Sequence, residues 1–228
     1  MTDSISMTGR RKYHVYTQLF DPPYDSACAY ILGFLAGDGW VTRYKVCVFL
    51  AKRDRDFVIK LRDYMRVEHP IKDYVKINKV TGTVTEASGF EICSKQLVAS
   101  LKKFGVVPNK THTYDPKATL DELPIMLHRH FFRGLIDADG CLGLYKNDTQ
   151  PYFNLTGSKG ACDHLRAYAI KNGVIANSHV LPKKRSFRYA LQSWKDVKCV
   201  CNLLYKKGDF CLERKHDIAT KIAKAHLK

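Results

Sequence analysis

Long apolar runs are missing from this sequence, and its N-terminus has no apolar core of the kind that signal peptides carry. The longest run of apolar residues, 29–36, is far shorter than the roughly 20 residues that a membrane-spanning helix requires. We therefore expect an intracellular protein of the cytoplasm, the nucleoid or an organelle matrix, with no membrane partner.

CxxC pairs are missing as well, and Cys199 and Cys201 are the one close pair of cysteines. The eight cysteines are scattered mostly singly, and none belongs to a CxxC motif. A zinc site assembled from Cys199, Cys201, Cys211 and His216 would lack the usual paired spacing of zinc ligands. The sequence also has no glycine-rich phosphate loop and no nucleophile elbow. Reduced thiols, most of them buried, are the expectation.

Acidic residues are few in comparison with basic ones. The 22 Asp and Glu residues face 38 Lys and Arg residues, which gives a formal net charge of +16. This excess predicts a polyanionic partner, and the alternative is a protein that is basic without a nucleic-acid function. The hydrophobic content of 45% is sufficient for a packed core.

The sequence does contain an internal repeat. Residues 33–39 read GFLAGDG and residues 134–140 read GLIDADG, so that Asp38 and Asp139 are 101 residues apart. Lys110 follows the first aspartate by 72 residues, and Lys215 follows the second by 76 residues. The same parts therefore recur at nearly the same offsets.

Apolar periodicity and turn residues predict the order α-β-β-α-β-β-α in each half. Helices are expected over 54–65, 94–105, 160–171 and 195–205, and strands over 41–50, 142–146, 152–156, 174–181 and 187–192 and on both sides of the Thr81-Gly82 turn. We divide the chain into a basic N-terminal extension at 1–24 and half-domains at 25–118 and 119–228. Two roles for the basic stretch 9–14 stay open: contact with flanking DNA, or disorder.

Small residues lie on one face of each repeated helix. Gly33 and Gly37 are four residues apart, as are Gly134 and Ala138, so each pair shares a helical face. Faces without bulky side chains allow two helices to approach closely. The two repeated helices are therefore predicted to pack against each other.

This packing would bring Asp38 and Asp139 together at the ends of the two helices. The glycines that follow, Gly39 and Gly140, suit a left-handed turn at a helix end. Two carboxylates at helix C-termini repel each other and oppose the helix dipoles, which makes them unfavourable without a cation. A Mg²⁺-type site that hydrolyses phosphodiesters resolves this conflict.

Both copies of the repeat resemble the signature of a known protein family. The stretches ILGFLAGDG and FRGLIDADG resemble the two signature copies of a single-chain LAGLIDADG homing endonuclease. The resemblance implies an α+β fold of two pseudo-symmetric αββαββα half-domains, whose antiparallel sheets form a DNA-binding saddle. It also implies a monomer with an internal pseudo-two-fold axis.

The resemblance implies a function and a set of site residues. The expected activity is site-specific cleavage of double-stranded DNA, of the kind used in intron homing and by mobile genetic elements. One phosphodiester is hydrolysed in each strand of a long, partly degenerate site. Short 3′ overhangs and Mg²⁺, for which Mn²⁺ can substitute, belong to this expectation. By motif position, the metal ligands are Asp38, Asp139 and the carbonyls of Gly37 and Ala138, and the basic catalytic residues are Lys110 and Lys215.

The sequence departs from the family pattern at two places. The first aspartate of the motif is Ala36 in the first copy and Asp137 in the second, at a position that is not a metal ligand. Where many members have a water-ordering polar residue after the second strand, only Lys52 and Lys159 are suitable.

Strand alternation predicts which side chains face DNA. Val75 and Ile77 suit the core, whereas Tyr74, Lys76 and Asn78 point the other way. In the second half, Phe187, Tyr189 and Leu191 suit the core. The outward rows there are Ser186, Arg188 and Gln192, and Tyr152, Asn154 and Thr156. The expected phosphate contacts are Arg43, Lys45, Lys183, Lys184 and Arg185.

Two other functional classes stay open from sequence. A cleavage-deficient relative on the same scaffold could act as an RNA maturase or a DNA-binding regulator. A basic structural or assembly protein is the third class, and it predicts no steep salt dependence of nucleic-acid affinity.

Overall fold

The structure is a computed structural model that describes residues 13–145, 149–175 and 178–225. The first half comprises α1 (Ser26–Gly37), β1 (Trp40–Val41), β2 (Lys45–Ala51), α2 (Arg55–Tyr64), β3 (Lys72–Ile77), β4 (Val84–Cys93) and α3 (Lys95–Lys103). After α4 (Lys117–Glu122), the second half comprises α5 (His128–Asp139), β5 (Gly140–Leu144), β6 (Pro151–Gly157), α6 (Lys159–Lys171), β7 (Leu181–Lys183), β8 (Ser186–Leu191) and α7 (Trp194–Leu204). Helix α8 (Glu213–Lys224) follows.

Each half has the predicted αββαββα order and one four-stranded antiparallel sheet, so the α+β fold class is confirmed. The strand orders β1-β2-β4-β3 and β5-β6-β8-β7 are equivalent, as expected for a repeat. The predicted half-domain boundary between residues 118 and 119 falls inside α4, and the division of the chain stays a prediction. The helices of the described residues are too short or too polar to span a lipid bilayer.

Local side-chain caps explain where several helices begin. The carboxylate of Asp25 accepts a hydrogen bond from the Cys28 N–H at 2.8 Å at the start of α1. Serine hydroxyls do the same at the starts of α3, α6 and α7, where Ser94, Ser158 and Ser193 are the capping residues. These residue types satisfy N–H groups that have no partner within the helix, which fixes the helix start.

Helices α1 and α5 pack face to face at the centre of the molecule, as the repeated glycines predict. A Cβ atom on Gly33 would lie 1.9 Å from the Phe131 carbonyl oxygen, and one on Gly134 would lie 2.0 Å from the Tyr30 carbonyl oxygen. No real side chain fits at such distances. The two backbones are therefore in contact only because both positions are glycine.

The prediction of left-handed turns at Gly39 and Gly140 is wrong. Neither residue has a positive φ, and Gly140 is extended, with φ −82° and ψ 161°. A Cβ on Gly39 would lie 2.5 Å from the Leu35 carbonyl oxygen, and one on Gly140 would lie 2.7 Å from the Ile136 carbonyl oxygen. The glycines are needed because the chain passes close to the preceding helical turn.

The β3–β4 hairpin differs from the predicted burial pattern. Strand pairing places Val75 opposite Glu86, and Ile77 opposite Val84, on the core-facing side of the sheet. Both residues are nevertheless 62% exposed, because this end of the hairpin extends past the helices that cover the rest of the sheet. Alternation predicted their direction correctly and their burial wrongly. In β8 the same reasoning succeeds for Tyr189 and Leu191, which are buried, whereas Phe187 is only half-buried against the core.

The strand predicted over 174–181 is also wrong for the residues that the structure describes. Residues 174, 175 and 178–180 have no strand structure, and β7 begins only at Leu181. The N–H of Ile175 donates to the Asp196 carboxylate instead of to a strand. Residues 176 and 177, like residue 146 of another predicted strand, lie outside the described residues.

Residues 13–24 pack against the first half and do not form a separate arm. Val15 makes a β-bridge with Val67, and a short 3₁₀ helix covers Thr17–Phe20. The Phe20 side chain is fully buried, with its ring centroid 6.3 Å from that of Phe104. Most of the predicted basic stretch, residues 9–12, lies outside the described residues.

Candidate active site

Asp38 and Asp139 stand at the ends of the two packed helices. Asp38 is the C-cap of α1, and Asp139 is the last residue of α5. A Cβ atom on Gly37 would lie 2.5 Å from the Ala138 Cβ and 3.1 Å from Oδ2 of Asp139. The helix ends thus meet so closely that the Asp139 carboxylate lies against the last turn of α1.

The surroundings of the two carboxylates favour their protonated forms. Although solvent reaches both side chains, the adjoining helix ends exclude enough water to raise the pKa of Asp38, against the opposing effect of Lys215 and Lys110. Burial, followed by the Asp38 charge, raises the pKa of Asp139 to about 6. The negative charges of the two carboxylates repel each other, and a cation bound between them would relieve this repulsion.

Lys110 is brought to the first helix end by a 3₁₀ turn, Lys110–His112, that follows Asn109 in the left-handed conformation. Its side chain is only 5% exposed. Nζ donates to the Gly39 carbonyl at 2.6 Å and, over a longer distance of 3.4 Å, to the Gly37 carbonyl. A cation at a helix C-terminus interacts favourably with the helix dipole.

Lys215 takes the equivalent place at the second helix end, on the first turn of α8. Its Nζ donates to the carbonyls of Ile136, Asp137 and Gly140, at 2.6, 2.8 and 2.7 Å. An ammonium group has three N–H donors, so all three are used. Lys215 is therefore held as a fixed positive charge, whereas Lys110 makes two such bonds.

Burial lowers the pKa of both lysines. For Lys110 the charges of Asp139 and Asp38 act in the opposite direction, and for Lys215 the charges of Asp137 and Asp38 do so. Each ammonium group is thus electrostatically linked to the carboxylates across the interface.

The oxygen donors at the helix ends fit Mg²⁺. Mg²⁺ usually takes one or two protein carboxylates and completes its shell with water and substrate phosphates. Asp38 and Asp139 provide the two carboxylates, and the carbonyls of Gly37 and Ala138 belong to the same helix ends. Among the described residues, no group of three or more His, Cys, Asp or Glu side chains could hold a metal. The donor set therefore suits an ion shared with a phosphate.

The structure places most of the predicted DNA contacts on one face of each sheet. Tyr74 and Lys76 pair with Ala87 and Thr85 on the face away from the helices. In the second half, Thr156 pairs with Arg188, and Asn154 pairs with Ala190. The same outward face carries Tyr152, Lys183 and Ser186, and Lys45 lies on the outward face of the first sheet.

Other predicted contacts lie at hairpin ends or just past the strands. Asn78 is in the β3–β4 turn, where its Oδ1 accepts from the N–H groups of Val80 and Thr81. Lys184 and Arg185 form the β7–β8 turn. Gln192 follows the end of β8, and Arg43 is exposed between β1 and β2.

Lys52 and Lys159 are placed away from the outward faces. Lys52 donates to Glu86, at 2.9 Å, and Glu86 is on the core-facing side of β4. Lys159 is the first residue of α6 and pairs with Asp163 on the same helix. Neither is brought to the carboxylates by these contacts, which argues against a water-ordering role.

Sequence reasoning missed two residues near the site. Trp40 is 61% exposed on the outward face, two residues past Asp38, and pairs with Cys47. Asp137, which sequence reasoning set aside, is buried and accepts three hydrogen bonds. The sequence signal for Asp137 was that the first copy of the motif has Ala36 at the same position.

No protein-family model matches this chain, and no curated protein matches it in sequence. Solved structures do match. The homing endonuclease I-WcaI, bound to its DNA recognition sequence, is 12% identical, with a TM-score of 0.60 over 84% of this chain and 85% of that chain. The LAGLIDADG meganuclease I-AabMI, bound to uncleaved DNA, is 13% identical, with a TM-score of 0.52 over 85% and 88%.

A third match is the N-terminal LAGLIDADG domain of DUF199/WhiA, which is 13% identical, with a TM-score of 0.50 over 84% of this chain and 90% of that chain. Together with the packed signature helices, these matches show that the chain has the fold of LAGLIDADG homing endonucleases. DUF199/WhiA is not named as an endonuclease, so the fold alone does not determine the activity, which has to be inferred from the site residues.

Proposed function

We propose that this chain is a LAGLIDADG homing endonuclease that cuts both strands of a specific double-stranded DNA site. The observation that carries the proposal is the pair of carboxylates at the packed helix ends, each end held by a buried lysine. Such a pair is unfavourable for stability alone, since burial and mutual repulsion raise the pKa of Asp139. A catalytic use explains its presence.

The chain's own residues have separate tasks in this proposal. Asp38 and Asp139 hold Mg²⁺, with the carbonyls of Gly37 and Ala138 as further oxygen donors. When bound, Mg²⁺ supplies Lewis acidity and a more acidic water. Lys110 and Lys215 are fixed positive charges that stabilise negative charge on a phosphate at the helix ends. The proposal includes one cut per strand, which the pseudo-symmetric arrangement of the two helix ends supports, and short 3′ overhangs.

The sheets are proposed to hold the DNA on their outward faces. Polar and aromatic side chains of both halves share these faces, including Tyr74, Lys76, Asn154 and Arg188. Such side chains can bond base edges, and the overall excess of Lys and Arg supplies phosphate contacts. The proposal includes a long recognition site and a monomeric enzyme, which the presence of two such sheets in one chain supports.

The test is cleavage of a randomised duplex library by the full chain with Mg²⁺, alongside Asp38→Asn and Asp139→Asn. The expected result is double-strand breaks at one motif, with each variant slower by on the order of 100-fold or more. Asp163→Asn is the matched control, because it removes a carboxylate from α6 and should cut normally.

A different outcome would favour the second candidate. The second candidate is a cleavage-deficient protein that acts as an RNA maturase or a DNA-binding regulator, since a LAGLIDADG domain also occurs in DUF199/WhiA, which is not named as an endonuclease. Tight, salt-dependent binding of a duplex without cleavage in Mg²⁺ or Mn²⁺ would contradict the endonuclease proposal and support this alternative.

A further inference from the structure

The two lysines of the site are attached to the molecule in different ways. Lys110 lies in a short turn within the first half, whereas Lys215 lies on α8, which follows the loop after α7. The position of Lys215 therefore depends on what fixes the loop 205–212 and the start of α8.

The Asp137 side chain fixes both ends of that loop. Its Oδ1 accepts from the Tyr205 hydroxyl, and its Oδ2 accepts from the Leu212 N–H, each at 2.7 Å. Oδ2 also accepts from the Tyr30 hydroxyl of α1 at 2.7 Å. The carboxylate is 2% exposed, so these are strong, water-free contacts.

The main chain of Asp137 contacts Lys215 directly. The Asp137 carbonyl accepts from Lys215 Nζ at 2.8 Å, and the carbonyls of Ile136 and Gly140 accept the other two hydrogen bonds of this ammonium group. A single residue thus holds the residue just before α8 by its side chain and the ammonium group of α8 by its carbonyl.

Among the residues that the structure describes, the first half has no equivalent carboxylate. Ala36 is the residue at the equivalent position, and its methyl group cannot accept a hydrogen bond. The arrangement around Asp137 is therefore specific to one of the two helix ends.

We propose that Asp137 is a positioning residue for Lys215, so that its loss slows the cut that depends on Lys215 more than the other cut. This inference rests on the proposed nuclease function for its kinetic consequence. Its structural part, the placement of the Lys215 ammonium group, does not depend on catalysis.

Removal of the carboxylate leaves α8 attached to the rest of the molecule. Arg214 donates to both carboxylate oxygens of Asp54 in the first half, at 3.0 and 3.2 Å. The expected effect of Asp137→Asn is therefore a displaced Lys215 in a folded protein. Tyr205→Phe, which removes one of the three donors, is the milder second variant.

The first measurement is the ratio of the two strand-nicking rates on the selected target. Lys215→Met and Lys110→Met first identify which cut depends on which lysine. Asp137→Asn and Tyr205→Phe are expected to change the ratio in the same direction as Lys215→Met, by about 10-fold for Asp137→Asn. Equal slowing of both cuts, or no change, would overturn the proposal, because a merely structural role affects both.

The second measurement is the rate at which each lysine is acetylated, followed by mass spectrometry of the full chain. Lys215 should react faster in Asp137→Asn than in the wild type, while Lys110 is unchanged. Tyr24→Phe is the control, because its hydroxyl bonds Glu122 far from this network. If neither the wild type nor any variant cuts DNA and Lys215 still reacts faster in Asp137→Asn, the positioning role stands and the nuclease proposal fails. Unchanged Lys215 reactivity overturns the positioning role.

Discussion

At the residue scale, His130 is a neutral histidine surrounded by cationic groups. Arg133 donates from Nη2 to the His130 Nδ1 at 2.9 Å, which requires an unprotonated ring nitrogen. Burial, together with Arg133 and Arg129, lowers the pKa of His130 from its ordinary value of 6.5 to about 4. The folded protein therefore binds this proton less readily than the unfolded chain does.

This difference predicts a pH dependence of stability. As the pH falls from about 6.5 towards 4, the unfolded chain gains a proton at His130 that the folded protein does not, so the free energy of unfolding decreases. His130→Gln keeps an acceptor for Arg133 and removes the titration. We expect the wild type to lose more stability than His130→Gln over this range in urea unfolding. Parallel curves for the two proteins would contradict the assignment.

At the element scale, the contact between α1 and α5 depends on missing side chains. Gly33→Ala or Gly134→Ala would place a methyl group within about 2 Å of a backbone carbonyl, which only separation of the helices can relieve. We expect each substitution to lower the free energy of unfolding by about 3 kcal/mol or more.

Gly157→Ala is the matched control for this experiment. A Cβ there would have its nearest contact at 3.9 Å, with the Ala161 Cβ, which is an ordinary distance. Its effect should stay within about 1 kcal/mol. Similar losses at all three positions would show that helix contact is not the cause.

The N-terminal segment is the second element that can be tested. Because Phe20 is fully buried beside Phe104, Phe20→Ala should reduce the free energy of unfolding by roughly 3–5 kcal/mol. Gln18→Ala, at an exposed position of the same 3₁₀ helix, should change it by less than about 0.5 kcal/mol. An unchanged stability in Phe20→Ala would show that the packing of this segment against the first half does not stabilise the fold.

Whether a feature of these elements could be predicted from the sequence depends on how far apart in the chain the interacting residues are. Capped helices and the glycine face could be predicted, because caps and helical periodicity involve neighbours in sequence. Exposure of Val75 and Ile77 could not be predicted, since it depends on how far the helices extend over the hairpin. The Asp137 contacts to Tyr30, Tyr205 and Leu212 join distant parts of the chain, and no local sequence pattern predicts them.

At the scale of the whole molecule, the net charge of +16 predicts steep salt dependence of DNA binding. Lys183 and Arg185, at the β7–β8 hairpin, are the proposed phosphate contacts to remove together. Their replacement by alanine should reduce the slope of log K against log salt by about 1.8, or 0.9 per phosphate.

The control replaces Lys102 and Lys103 of α3, which are exposed and belong to a helix. This pair should leave the slope nearly unchanged. Equal effects of the two double variants would mean that charge acts without a defined DNA-binding face.

The proposed nuclease activity requires that the two pseudo-symmetric halves meet to form one divalent-cation site. Electron paramagnetic resonance of Mn²⁺, titrated into the full chain bound to its selected duplex, tests this claim most directly. The wild-type complex should bind Mn²⁺ at a site that the Asp38→Asn/Asp139→Asn double variant lacks. Equal Mn²⁺ binding by the two complexes would contradict the account, because the carboxylates at the helix ends would then hold no metal.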